Sequence, residues 1–278
     1  MPASIHVGGS LIRIDLISKP TALSNDQLLA WIETAGRAVG TYYGRFPVKE
    51  VTIHLQVNSD GHDIHGRTFD GERIEVGFGP EVTPADLSDD WIMTHEMFHL
   101  AFPDLGDDHN WLNEGLSTYL EPISRAAIGT LTPQRIWHDM VMGMPQGQPE
   151  PGDKGLDYTH TWGRTYWGGC LFCLLADVRI REKTDGRRSL QDALRAILDK
   201  GGDGSAEWPM LRVVDTGDRA TGTTVLKDLY EEMALKPKTV DLAALWKSLG
   251  VQADGDGTKF DDAAPLAWIR KAITTAKK

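Results

Sequence analysis

Two short segments constrain this chain more than anything else in it. The first reads His95-Glu96-Met97-Phe98-His99, an H-E-x-x-H. The second reads Trp111-Leu112-Asn113-Glu114-Gly115, with fourteen residues between His99 and Glu114. On a helix, positions i and i+4 lie on one face, so His95 and His99 can reach one metal ion. Glu96 lies about 100° around the helix from His95, beside where a metal-bound water would sit. Two His, one Glu and one open position describe a catalytic zinc site rather than a closed structural one. The alternative, a surface helix with two solvated His, fits the flanks badly. Trp91, Ile92, Met93, Met97, Phe98, Leu100 and Phe102 make a largely buried helix, and buried His need partners.

Glu114 opens a second apolar-striped helix carrying Leu116, Tyr119, Leu120 and Ile123. The stretch between the two helices holds Pro103, Gly106 and the pair Asp107-Asp108, which reads as a turn. Helices joined by a short turn are usually antiparallel neighbours, which brings Glu114 back toward the two His as the third ligand. Glu121 follows two helical turns later on the same face. It reads either as an outer carboxylate holding a ligand imidazole or as an ordinary polar residue before Pro122.

The chain has 278 residues, 41% of them apolar and 25% charged. That is ordinary for a globular protein with a substantial core. A net charge of −11 without a Lys/Arg cluster argues against nucleic acid and anionic membrane surfaces as partners. No apolar run approaches the ~20 residues of a membrane span. Met1-Pro2-Ala3-Ser4 leads straight into a strand-like segment, so no signal peptide is visible, and an exported form would need a leader outside this sequence. No internal repeat or heptad array offers an oligomeric state. Cys170 and Cys173 stand three apart in an apolar helical run. Without a second Cys pair or an intervening Gly or Pro, they read as buried small hydrophobes rather than a redox or metal motif.

Alternation over 5–17, broken at Gly8-Gly9, and over 51–57 predicts strands. Residues 63–78 predict a hairpin turning at Asp70-Gly71. Ser24 predicts an N-cap for a helix to about residue 39. Helices are expected over 86–102, 113–128, 133–142, 162–181, 189–200, 223–233, 241–249 and 262–275, with 145–155 as a loop. The layout is α+β. Residues 1–85 form a small β-rich front lobe, and residues 86–278 a helical zinc-binding and rear lobe of the same catalytic unit. The metal helix is expected near the junction, where a cleft would take substrate.

The residues also carry a family. The segment from Trp111 to Glu121, W-L-N-E-G-L-S-T-Y-L-E, is similar to the Glu-ligand helix of the aminopeptidase N and leukotriene hydrolase group. Downstream, Tyr166-Trp167-Gly168-Gly169-Cys170, Leu174-Leu175-Ala176-Asp177, Arg179 to Arg181, Ser189-Leu190 and the tail from Phe260 to Ile273 are closer to the glycyl aminopeptidases. Over roughly 50–275 the chain resembles the gluzincin-type zinc metallopeptidases. The resemblance implies a thermolysin-like catalytic domain and one Zn2+ per chain on His95, His99 and Glu114. It implies Glu96 as general base, Tyr166 as hydrogen-bond donor to the oxyanion, and Glu121 as the outer carboxylate. Read from the residues alone, Tyr166 is equally a buried aromatic at a helix start; Tyr158 and His160 are lesser candidates for its role. The implied activity is zinc-dependent hydrolysis of a peptide bond by metal-activated water on a peptide or protein substrate, aminopeptidase-like. The alternatives are an endopeptidase on the same site, a catalytically weak binding protein on the fold, or a zinc hydrolase of another bond. Three departures stand out. The His99–Glu114 spacing is shorter than in aminopeptidase N. The large amino-terminal β-domain and the PDZ-like module are absent. No G-x-M-E-N-like exopeptidase motif is present: the strand expected in its place, from Gly71 to Gly79, offers only Glu72 or Glu75 to anchor a substrate amine, and each reads more simply as a solvated strand residue.

Overall fold

The computed structural model describes residues 2–255 and 257–275. The chain divides into two compact units, one of Met1–Pro103 with Gly201–Ala206, the other of Asp104–Lys200 with Glu207–Lys278.

The first unit is built on a five-stranded mixed sheet. Its strands are β1 (Pro2–Val7), β2 (Ser10–Leu16), β3 (Glu50–Val57), β4 (Ile64–Phe69) and β5 (Arg73–Phe78). Their spatial order is β1-β2-β3-β5-β4, with β2, β3 and β5 parallel and both outer strands antiparallel to their neighbours. The two predicted turns make the two hairpins. Gly8 and Gly9 both take positive φ between β1 and β2, and Asp70 and Gly71 do so between β4 and β5. Paired positive φ matches the twist of a tight hairpin, which is why Asp-Gly stands there. Ile12, Ile14, Ile53, Leu55, Ile74 and Val76 alternate along the three central strands and are buried.

Helix α1 (Asn25–Tyr43) starts on a reciprocal Ser24–Gln27 capping box and ends at Gly44 in the left-handed region. It lies close on the sheet: a Cβ on Gly36 would stand 3.2 Å from Val7. The continuous helix expected over 86–102 is two helices, α2 (Pro84–Asp89) and α3 (Ile92–His99). Thr83 and Asp86 form a capping box that starts α2. Asp90 breaks the run: its carboxylate accepts from Ile92 N and Met93 N at the start of α3 and from Trp31 Nε1 on α1. The apolar period alone did not reveal this cap.

The second unit is mostly helical. It holds α4 (Asn110–Ala127), α5 (Pro133–Gly143), α6 (Gly169–Lys183), α7 (Leu190–Asp199), α8 (Met210–Thr221), α9 (Val225–Leu229), α10 (Leu242–Leu249) and α11 (Ala267–Ile273). A small hairpin of β6 (Val251–Asp254) and β7 (Gly257–Phe260) precedes α11. The long helix expected over 162–181 opens instead as a π-helical turn, Arg164–Gly168, before α6. The helix expected over 223–233 likewise ends in a π-helical turn, Tyr230–Ala234. Helix α8 and the β6–β7 hairpin had no counterpart in the sequence reading. Cys170 and Cys173 are buried, unbridged thiols on α6, and burial pushes both well above the usual thiol range. That is the behaviour of core residues, not of reactive ones. No helix among the described residues is long and apolar enough to cross a membrane. The architecture is α+β, as the sequence predicts.

Candidate metal centre

Helix α3 is short and almost wholly buried, and it presents the motif in a fixed pose. His95 is 2% exposed, and its ring meets that of His99 edge to face at a centroid distance of 5.0 Å. Trp91 packs edge-on against His95 from the previous turn. Phe98 meets the rings of Tyr42 and Tyr43 from α1. The carbonyl end of the helix is finished by Gly204, whose N–H donates to Leu100 O at 3.0 Å. The same glycine touches the β4–β5 turn, where a Cβ on Gly71 would come 2.4 Å from the Gly204 carbonyl carbon.

Glu96 is held by β4, the outer strand of the sheet. Thr68 Oγ1 lies 2.8 Å from Glu96 Oε2 and 2.9 Å from the Glu96 carbonyl oxygen, so the hydroxyl can donate to the carboxylate. Gly66 faces the same side chain, and a Cβ there would stand 2.7 Å from Glu96 Cγ and from Ile92 Cγ2. The strand can approach α3 this closely only as glycine. Neither Thr68 nor Gly66 carries a sequence signal for this role. Glu75 lies one strand further in, on β5, in an ion pair with Arg73 at 3.4 Å, and Glu72 is exposed in the turn before it.

Glu114 lies in the second turn of α4. His95, His99 and Glu114 each offer one ligand atom, and the three atoms lie within 4.8 Å of one another. Two imidazoles and a carboxylate at this spacing suit a zinc ion with an open coordination position. Glu121 is buried on α4 and accepts from Arg125 Nη1 at 2.8 Å. The chain passes close by on the other side of Glu114: a Cβ on Gly115 would lie 2.3 Å from Gly169 Cα. Tyr166 stands three residues before Gly169, in the π-helical turn, with its ring stacked on Trp162 at 5.5 Å and 24°. Tyr158 is exposed, and His160 Nε2 is spent on the Asp157 carbonyl at 2.9 Å.

No protein-family model and no curated protein sequence matches the chain. Solved structures do. An aminopeptidase N family protein from Idiomarina loihiensis superposes with a TM-score of 0.73 over 91% of this chain, at 12% identity, using 49% of its own length. The fold is that of M1 zinc metallopeptidases. An M1 zinc metallopeptidase from Deinococcus radiodurans, solved as a mutant with a Tyr-Ser-Ala substrate, matches over 86% of this chain. Its TM-score is 0.56 at 15% identity, with 52% of that chain covered. Yeast LTA4 hydrolase matches over 89% of this chain with a TM-score of 0.56 at 18% identity, with 42% of it covered. The chain thus spans about half the length of these structures. They agree with a gluzincin-type peptidase fold, and at these identities they distinguish no subfamily.

Proposed function

We propose that the chain is a zinc-dependent peptidase whose centre is His95, His99 and Glu114, with Glu96 as general base. The observation that carries the reading is the convergence of those three donor atoms within 4.8 Å; the Glu96 carboxylate, next in sequence to the first of them, is held by Thr68. A donor set alone would suit storage or structure as well as catalysis; a glutamate directly following the first ligand histidine supports catalysis.

Zinc bound there would supply a Lewis acid for a peptide carbonyl and acidify water toward neutral pH. Glu96 takes the proton of the attacking water and passes it to the leaving amine. The Thr68 hydroxyl steadies the carboxylate through its Oε2. Tyr166 donates a hydrogen bond to the developing oxyanion. Glu121 is the outer carboxylate behind a ligand imidazole. An extended substrate adds as a strand to the outer edge of β4. The Tyr-Ser-Ala peptide in the Deinococcus structure supports an aminopeptidase-like activity.

The test is a panel of fluorogenic peptides with free and blocked amino ends, with and without chelator. Chelator-sensitive cleavage of free-amine substrates alone is expected; cleavage of the blocked ones would make the protein an endopeptidase. Glu96→Gln should keep its zinc and lose nearly all hydrolysis, and full activity in that variant would overturn the assignment. Tyr166→Phe should lower kcat more than it changes KM.

A further inference from the structure

Asp157 lies in the stretch between α5 and α6, outside any helix or strand, and is 5% exposed. A buried carboxylate needs donors, and this one has three from other parts of the chain. Its Oδ1 accepts from His109 Nδ1 at 2.9 Å and from Trp111 Nε1 at 2.8 Å. Its Oδ2 accepts from the Tyr230 hydroxyl at 2.7 Å. The backbone is fastened as well: Leu156 N donates to Met233 O at 3.0 Å and Asp157 N to Ala234 O at 3.2 Å. The carboxylate therefore joins the π-helical turn after α9 to the start of α4.

The start of α4 is where such a tie matters. Helix α4 begins at His109 without a side-chain cap, as α6, α8, α9 and α11 also do, and it runs on from a 3-10 turn, Asp107–His109, whose Asp107 O accepts from Asn110 N. The first turn of a helix has free N–H groups and frays unless something holds it. Here His109 precedes the helix, Trp111 is its second residue, and Glu114 follows Trp111 by three positions, on a neighbouring line of the same face. The Gly115–Gly169 contact fixes the backbone one residue past Glu114. Asp157 fixes it three residues before.

We propose that Asp157 is a positioning residue for the metal centre: by holding His109 and Trp111, it sets the aim of the Glu114 carboxylate. The inference rests on Glu114 being a zinc ligand. A carboxylate that only stabilised the fold would affect unfolding and leave the coordination unchanged; one that aims a ligand changes the metal site in the folded protein.

The experiment uses the full chain, stripped of metal and reloaded. Zinc affinity is measured by chelator competition, and the visible absorption of the cobalt-loaded protein reports coordination geometry. Asp157→Asn is expected to raise the zinc Kd by a few-fold, less than the roughly tenfold or greater cost of removing a direct partner of a metal ligand, because Asp157 acts through His109 and Trp111. Its cobalt spectrum should also shift. Tyr230→Phe takes away one donor and leaves the other two, so it should fold and give a smaller change of the same sign; it decides the matter if the Asn variant does not fold. Variants that unfold at lower temperature but keep the parent's zinc Kd and cobalt spectrum would overturn the proposal. Glu114→Gln separates the two readings. If it binds zinc as the parent does, the ligand assignment fails. If it binds weakly while the Asp157 and Tyr230 variants bind normally, only the positioning role fails.

Discussion

At the scale of single residues, the chemistry lies in a few side chains, and their neighbours decide how each is used. Glu96 depends on Thr68, whose hydroxyl sits 2.8 Å from its carboxylate oxygen. Thr68→Val keeps the shape and removes that donor from Glu96 Oε2. It should lower kcat by roughly tenfold, equivalent to about 1.4 kcal/mol, with KM little changed. Steady-state kinetics on a free-amine peptide checks this, and a change confined to KM would exclude the role. His95 and His99 could be grouped from the sequence because positions i and i+4 share one helix face, and Glu114 because a short turn joins its helix to theirs. Thr68, Gly66 and Asp157 could not. Each acts on residues 28 to 48 positions away, through strand placement or loop closure, and no local pattern records such a partner.

At the scale of elements, the strands and most helices followed from period and punctuation. Asp70-Gly71 gave the β4–β5 turn, and Ser24 the start of α1. The errors fall where the chain departs from plain α-helix without losing its apolar pattern. The π-helical turns at Arg164–Gly168 and Tyr230–Ala234 keep the burial of a helix and shift its phase. Asp90 ends one helix and starts the next inside a run that reads as continuous. Helix α2 carries a pH prediction of its own. Its Asp86 carboxyl is held down to about 2, first by the hydrogen bond from His62 and then by Thr83. The same bond raises His62 above its ordinary 6.5. The carboxylate's contribution is present above its unfolded value of 3.8 and is lost as pH falls through about 2. The imidazolium's is full below 6.5 and is lost as pH rises through the raised value. Both act together from about pH 4 to 6.5. The start of α2 should therefore be best ordered within that window and loosen once pH rises through the raised His62 value. An NMR titration of the His62 ring should show its inflection above 6.5 in the parent and a lower one in Asp86→Ala. Matching curves would exclude the coupling.

At the scale of the whole molecule, the sequence predicted the class of fold, and the solved M1 structures share it. The first compact unit is not one continuous stretch: Gly201–Ala206 belongs with Met1–Pro103. Metal should act on the molecule as a whole. An ion bound only by the folded protein stabilises it by about 4 kcal/mol when present at a thousand times its Kd. Thermal unfolding should thus move upward with zinc and downward with chelator, and Glu114→Gln should blunt the response. An unfolding temperature indifferent to both would argue against a site assembled by folding.

The contact between Gly204 and Leu100 bears on how the protein is made. The carbonyl end of the helix bearing both histidines is finished by a residue about a hundred positions later in the chain. At a synthesis rate of ~5–20 residues per second, that helix waits roughly 5–20 seconds for its last hydrogen-bond partner to be made. During that interval the amino-terminal sheet can form, but its histidine helix stays open at one end. A nascent chain released before residue 204 would carry the whole H-E-x-x-H motif without the segment that closes it.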